Sequence, residues 1–171
     1  MPIQKGARHQ KVIGDFGEHL ICNWLSRSGF EVAIIDHVGI DLVAYSPATR
    51  RRLGISVKAR TRFPGTENSD VRLFPRKGDR EKLLNACVAF GCEPWLAIYV
   101  EANEGGDLYL ASLRDFDSIY TKLAGNPRSA WRMTTKFRNA YSENVSICHV
   151  KISFDACNWR FATIPQNDKP S

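Results

Sequence analysis

The 171-residue chain has no run approaching the ~18 consecutive apolar residues that a membrane-spanning helix requires, so a membrane partner is not expected. Its opening, Met1-Pro2-Ile3-Gln4-Lys5-Gly6, lacks the apolar stretch of a secretory signal, and a cytoplasmic location is the expectation. The five cysteines (Cys22, Cys87, Cys92, Cys148, Cys157) are scattered, odd in number and never spaced as Cys-x-x-Cys. That argues against a disulfide framework and a zinc ribbon, and leaves them as small packing residues. His149 stands beside Cys148, but no second paired ligand set accompanies it. A glycine-rich phosphate loop and a Gly-x-Ser-x-Gly elbow are both missing, which argues against an α/β enzyme of small-molecule chemistry.

What is present is an ordinary globular composition, 43% hydrophobic and 25% charged, in a length that suits one domain with a real core. The charge is unevenly placed. Between Arg50 and Lys82 stand eleven Lys or Arg and only four acids (Glu67, Asp70, Asp79, Glu81), so this stretch carries +7 while the remainder of the chain sums to −1. A basic run of this kind is either a solvated loop or a surface for phosphates.

Periodicity divides the chain into elements. Phe16, Leu20, Ile21, Trp24 and Leu25 recur at helical spacing, which predicts a helix over 14–27 stopped at Gly29. Residues 31–35 and 40–45 read as strands around the turn Asp36-His37-Val38-Gly39, and 53–59 as a third strand with Ile55, Val57 and Ala59 on one face and Ser56, Lys58 and Arg60 on the other. Residues 61–78 are irregular and predict a mobile loop. A helix over 79–90 with Asp79 as N-cap and an apolar stripe of Leu83, Leu84, Cys87, Val88 and Phe90 follows, then a nearly all-apolar strand over 95–100. Beyond it, 107–111 predicts a strand, 113–123 a helix, and 145–154 with 159–164 a closing hairpin, while 126–142 shows no clear period.

Three polar residues interrupt otherwise apolar elements: Glu18 in the first helix, Asp41 at the start of the second strand and Lys58 near the end of the third. Cleaving a phosphodiester calls for carboxylate oxygens on a hard cation and a lysine beside it, and adjacent antiparallel strands can bring Asp41 and Lys58 to one face. The segments Gly14-Asp15-Phe16-Gly17-Glu18-His19-Leu20, Gly39-Ile40-Asp41-Leu42-Val43-Ala44 and Ile55-Ser56-Val57-Lys58-Ala59-Arg60, with Glu81-Lys82-Leu83-Leu84 and Phe90-Gly91-Cys92-Glu93-Pro94-Trp95-Leu96-Ala97-Ile98 behind them, resemble the PD-(D/E)xK nuclease superfamily, and within it the archaeal-type Holliday junction resolvases. The resemblance covers residues 14–101.

It implies an α/β, restriction-endonuclease-like fold: an αβββαβ core over 14–101, a mixed sheet flanked by helices, and a C-terminal α+β extension over 102–164 ahead of a polar tail, 165–171, all within a single domain, 1–171. It implies Asp41 as metal ligand, Lys58 as catalytic lysine and Glu18 as the helix acid supporting the metal or its water, with Mg²⁺ or Mn²⁺ as cofactor. The nucleic-acid-binding residues expected from the basic stretch are Arg60, Arg62, Arg72, Arg76 and Lys77. The partner is nucleic acid, DNA first, and a homodimer is open because a junction is two-fold symmetric.

The chain departs from the family pattern at Ser56, where an acid two residues before the lysine is expected. A hydroxyl is a far poorer ligand for a hard dication than a carboxylate. Some restriction enzymes of this superfamily with Ser-x-Lys take the acid from the next helix, which nominates Glu81 as metal ligand, with Asp79 behind it. The leading expectation is therefore a metal-dependent endonuclease acting on DNA, branched DNA included. The alternative is a nucleic-acid-binding module of the same fold that has lost cleavage. A metal-independent RNA-cleaving relative is a further class, but no His-Tyr-Lys arrangement speaks for it.

Overall fold

In the computed structural model, which describes residues 5–124 and 130–156, the elements run in the order α1 (His9–Arg27), β1 (Glu31–His37), β2 (Ile40–Ser46), β3 (Arg51–Thr61), β4 (Val71–Arg72), α2 (Asp79–Phe90), β5 (Glu93–Ala102), β6 (Gly105–Ser112), α3 (Leu113–Ala124), β7 (Ala130–Trp131), α4 (Thr135–Glu143) and β8 (Cys148–Ser153). Six strands form one mixed sheet in the order β1-β2-β3-β5-β6-β8, in which β3 and β5 are parallel and all other neighbours antiparallel. The parallel pair needs a crossover, and α2 supplies it. Alternation then assigns the two faces. Ile55, Val57, Ala59, Trp95, Ala97 and Tyr99 meet Ile13, Ile21 and Leu25 of α1, while Leu96, Ile98, Val100, Tyr109 and Ala111 meet α2, α3 and α4.

The helices differ in detail from their apolar pattern. α1 starts five residues before Gly14, because His9 bonds the Thr61 hydroxyl at 2.8 Å and Thr61 in turn donates to Glu101, tying the helix start to the ends of β3 and β5. Its buried stripe is Ile13, Gly17, Ile21 and Leu25; Phe16 lies to one side, 47% exposed, its ring edge-on to Tyr99. Gly17 sits inside the stripe because a Cβ there would stand 2.6 Å from the Cβ of Ala59, so the helix approaches β3 as only glycine allows. In α2 the inward residues are Leu83, Ala86 and Cys87, whereas Leu84, Val88 and Phe90 face solvent. Gly78, in the left-handed conformation, holds the N-cap position expected of Asp79, which is the first helical residue.

The segment 61–78 is an anchored wall where the composition had suggested a mobile loop. Val71 and Leu73 are buried, β4 pairs with β7, and Arg138 of α4 donates to Asn68. The holding elements come from the C-terminal extension, whose core is an aromatic stack of Tyr109, Phe116, Tyr120, Trp131, Phe137 and Tyr141. The described residues 130–143 thus contain β7 and α4, organised by these rings rather than by periodicity. β8 pairs with β6; the second arm of the expected hairpin, 159–164, lies outside the described residues, as do Cys157 and the tail. Among the described residues no helix is long and apolar enough to cross a membrane.

Cys87 and His149 serve packing and sheet closure. Cys87 packs against Gly54 and its thiol is pushed up to about 11 by burial. His149 stacks on Tyr109 at 4.5 Å and bonds Asp107 at 2.8 Å, joining β8 to β6.

Candidate nucleic-acid cleft

One step beyond the Leu42–Ile55 pair of the β2–β3 ladder, Asp41 and Ser56 come opposite each other, and Lys58, two residues on, shares their face. All three line a cleft of about 200 Å³. The Val57 amide donates to Asp41 Oδ2 at 2.6 Å. The Lys58 ammonium donates to Ser56 Oγ at 3.2 Å and to the Val57 carbonyl at 3.1 Å. The remaining walls are Val38 and Gly39 of the β1–β2 turn, Leu73, Phe74 and Pro75 of the anchored segment, and Asp79 and Lys82 of α2.

Gly39 explains how α2 reaches Asp41. It has φ +109°, and a Cβ on it would stand 2.4 Å from the Lys82 carbonyl oxygen and 3.0 Å from the Leu83 nitrogen. The turn and the first turn of α2 are therefore in backbone contact, two residues from Asp41 in sequence.

Of the two acids on α2, the cleft takes Asp79 and leaves out Glu81, which is exposed. The helical period gives the reason. Asp79 and Lys82 begin the same i, i+3, i+4, i+7, i+8 stripe that continues through Leu83, Ala86 and Cys87, while Glu81 lies roughly 200° around the axis from Asp79. That stripe was the signal which could have ranked Asp79 first and found Lys82. The Lys82 ammonium and the Arg76 amide each hold an oxygen of Asp79 and keep its carboxyl below the usual carboxylate range.

Glu18 is not part of the cleft lining; it is half-buried on the α1 side, one residue beyond the Gly17 contact. Burial raises its carboxyl above the usual range, and the negative charges of Asp41 and Asp15 push the same way, with His19 and Lys58 opposing. The charges of Asp41 and Lys58 thus reach Glu18 from outside the cleft lining.

The basic stretch divides. Arg51 pairs with Glu93 and Arg80 with Asp117. Arg62 donates to the carbonyls of Ser69 and Asp70 at 2.7 and 2.9 Å, with its Nε buried, so these contacts brace the segment. Arg60, Arg72, Arg76 and Lys77 are exposed, each within two residues in sequence of a cleft-lining residue, and, among the described residues, form no ion pair.

The donor set can be tested against a divalent cation. Among the described residues no three His, Cys, Asp or Glu side chains assemble a preformed metal cage. Two carboxylates, Asp41 and Asp79, do share the cleft. Magnesium ordinarily binds through one or two carboxylates together with substrate phosphate and water. The residues fit an ion that arrives with a phosphodiester.

No family model and no curated protein matches the sequence. Among solved structures, the fold is similar to the 1.6 Å structure of Hjc, a Holliday junction resolvase from the archaeal hyperthermophile Archaeoglobus fulgidus, with a TM-score of 0.50 and 16% identity over 74% of this chain and 88% of the resolvase. The architecture is accordingly the restriction-endonuclease-like one, a mixed sheet flanked by helices.

Proposed function

We propose that this protein is an endonuclease acting on DNA, with branched DNA as its substrate class and Mg²⁺ or Mn²⁺ as cofactor. The observation that carries the reading is the meeting of Asp41, Ser56 and Lys58 from two strands with Asp79 and Lys82 from α2 in one cleft, within a fold shared with a junction resolvase. Arg60, Arg72, Arg76 and Lys77 hold the phosphates on either side of the scissile bond and place the backbone in the cleft. Asp41 and Asp79 would hold the cation, which when bound would supply Lewis acidity to the phosphate and to the attacking water. Lys58 orients that water or stabilises the charge that grows on the phosphoryl oxygens, and Glu18 supports the arrangement from the α1 side. Residues 1–171 act as one domain, the extension serving to hold the wall that contains Leu73–Pro75. A homodimer would match a two-fold symmetric junction.

A second reading, a binding module that does not cleave, is favoured by Ser56 and by the Lys82 ammonium on Asp79. Nicking assays on linear and four-way DNA with Mg²⁺ or Mn²⁺ separate the two. For an endonuclease, Asp41→Asn, Lys58→Ala and Asp79→Asn abolish cleavage with DNA binding retained, and Glu81→Ala leaves cleavage intact. For a binding module, the wild type binds without nicking, and Ser56→Glu raises metal affinity. A preparation that neither binds metal nor cleaves, unchanged by Ser56→Glu, would defeat the endonuclease.

A further inference from the structure

The cleft contains an ion pair that cleavage itself does not require. Lys82 Nζ lies 2.9 Å from Asp79 Oδ1, and Asp79 Oδ2 accepts the Arg76 amide at 2.8 Å. The pair is asymmetric: Asp79 is 19% exposed and Lys82 45%. The carboxylate is the less exposed partner, and its Oδ1 is occupied by the more exposed ammonium.

Charge in the cleft is balanced in this state, Asp41 and Asp79 against Lys58 and Lys82. A dication approaching Asp79 meets the Lys82 charge first and is repelled by it. A phosphodiester has the opposite effect, since it adds negative charge and offers acceptor oxygens to an ammonium. Releasing Lys82 is easy: helix pairs at i, i+3 contribute only about 0.2–0.5 kcal/mol. Once Lys82 has turned to the phosphate, Asp79 Oδ1 is uncovered and the cleft has gained an anion, both of which favour a cation.

We propose that Lys82 is an internal counter-ion of Asp79 that weakens divalent-cation binding at this carboxylate until a phosphodiester takes the ammonium. The inference rests on the proposed function and adds to it an order of loading, nucleic acid before ion.

The test uses the full chain and reads metal binding rather than cleavage. Free Mn²⁺ is followed by electron paramagnetic resonance as it is titrated into the wild type, Lys82→Met, Asp41→Asn, Asp79→Asn and Lys82→Met/Asp79→Asn. Lys82→Met should bind Mn²⁺ roughly tenfold more tightly than the wild type, the effect of one charge on a dication about 5–6 Å away in water-like surroundings. Asp79→Asn should cancel that gain. In parallel, Ca²⁺ should tighten binding of a four-way DNA junction to the wild type, measured by fluorescence anisotropy, and should do so less for Lys82→Met, because coupling between two ligands is reciprocal. If Lys82→Met binds Mn²⁺ no more tightly than the wild type while Asp41→Asn weakens it, the counter-ion role is overturned and the metal reading stands. If neither Asp41→Asn nor Asp79→Asn alters Mn²⁺ binding, both the inference and the metal reading beneath it fail.

Discussion

Replacing Gly39 by alanine should damage the fold and the cleft together. The new Cβ would stand 2.4 Å from the Lys82 carbonyl oxygen and 2.6 Å from its carbon, backbone atoms that cannot rotate away. The backbone at φ +109° is also one that L residues rarely adopt, a strain of about 1–3 kcal/mol. Displacing packed backbone contributes about 1–3 kcal/mol more. The expected loss is about 2–6 kcal/mol against a total stability of about 5–15 kcal/mol, and each kcal/mol lowers Tm by about 2–4 °C at this chain length. Gly65→Ala is the control, since Gly65 has a similar positive φ of +84° but nothing within 4 Å of its would-be Cβ. Urea unfolding of both variants separates strain from collision, and the excess loss in Gly39→Ala measures the collision with α2. DNA affinity should fall only in Gly39→Ala, because Asp79 and Lys82 ride on the displaced turn. Equal losses in the two variants would show that the first turn of α2 does not rest on Gly39, and the account of how Asp79 reaches Asp41 would be wrong.

Three further outcomes are expected. Asp41→Ala should cost about 1–3 kcal/mol in urea unfolding because it strands the buried Val57 amide, whereas Asp41→Asn keeps an acceptor there and should lose cleavage with little change in stability. Reversing Arg60, Arg72 and Lys77 to Glu should weaken binding across DNA sequences and flatten the salt dependence, by about 0.9 in log–log slope for each phosphate that is no longer neutralised; an unchanged slope would mark these residues as solvated only. Because burial and Asp41 raise the Glu18 carboxyl in the folded state, its contribution to stability is fully present below the unfolded carboxylate pKa and is lost as pH rises through the folded value. Glu18→Gln should therefore stabilise at neutral pH and not at pH 3, and a pH-independent effect in thermal melts would contradict the placement of Glu18 near Asp41.

Much of the architecture was legible in local pattern. The alternation of Ile55, Val57 and Ala59 against Ser56 and Lys58 was enough to assign β3 and its two faces, and the boundaries of α2 follow from glycines that end helices in left-handed backbone, Gly91 at φ +60° among them. The grouping of Asp41 with Lys58 followed from parity on neighbouring antiparallel strands. Where Asp79 was concerned, the helical stripe held the information, but the resemblance pointed only to an acid on the next helix and Glu81 was placed ahead of Asp79.

Other features depend on residues far apart in the chain. Residues 61–78 look mobile because prolines, glycines and charges dominate them, yet Val71 and Leu73 are buried with strand β7 and the aromatic stack, whose rings at Trp131, Phe137 and Tyr141 come from far later in the chain. Arg62 reads as one more cation until its partners, the carbonyls of Ser69 and Asp70, are known. By itself, then, the sequence determined the core's helices and its strands other than β4, the face shared by Asp41 and Lys58, and the excess of positive charge, since each depends on spacing along the chain. The tertiary structure alone decided which carboxylate of α2 enters the cleft, which arginines stay exposed and what the C-terminal extension supports, because these are set by the approach of backbones at Gly17 and Gly39 and by the burial of side chains that no local period relates.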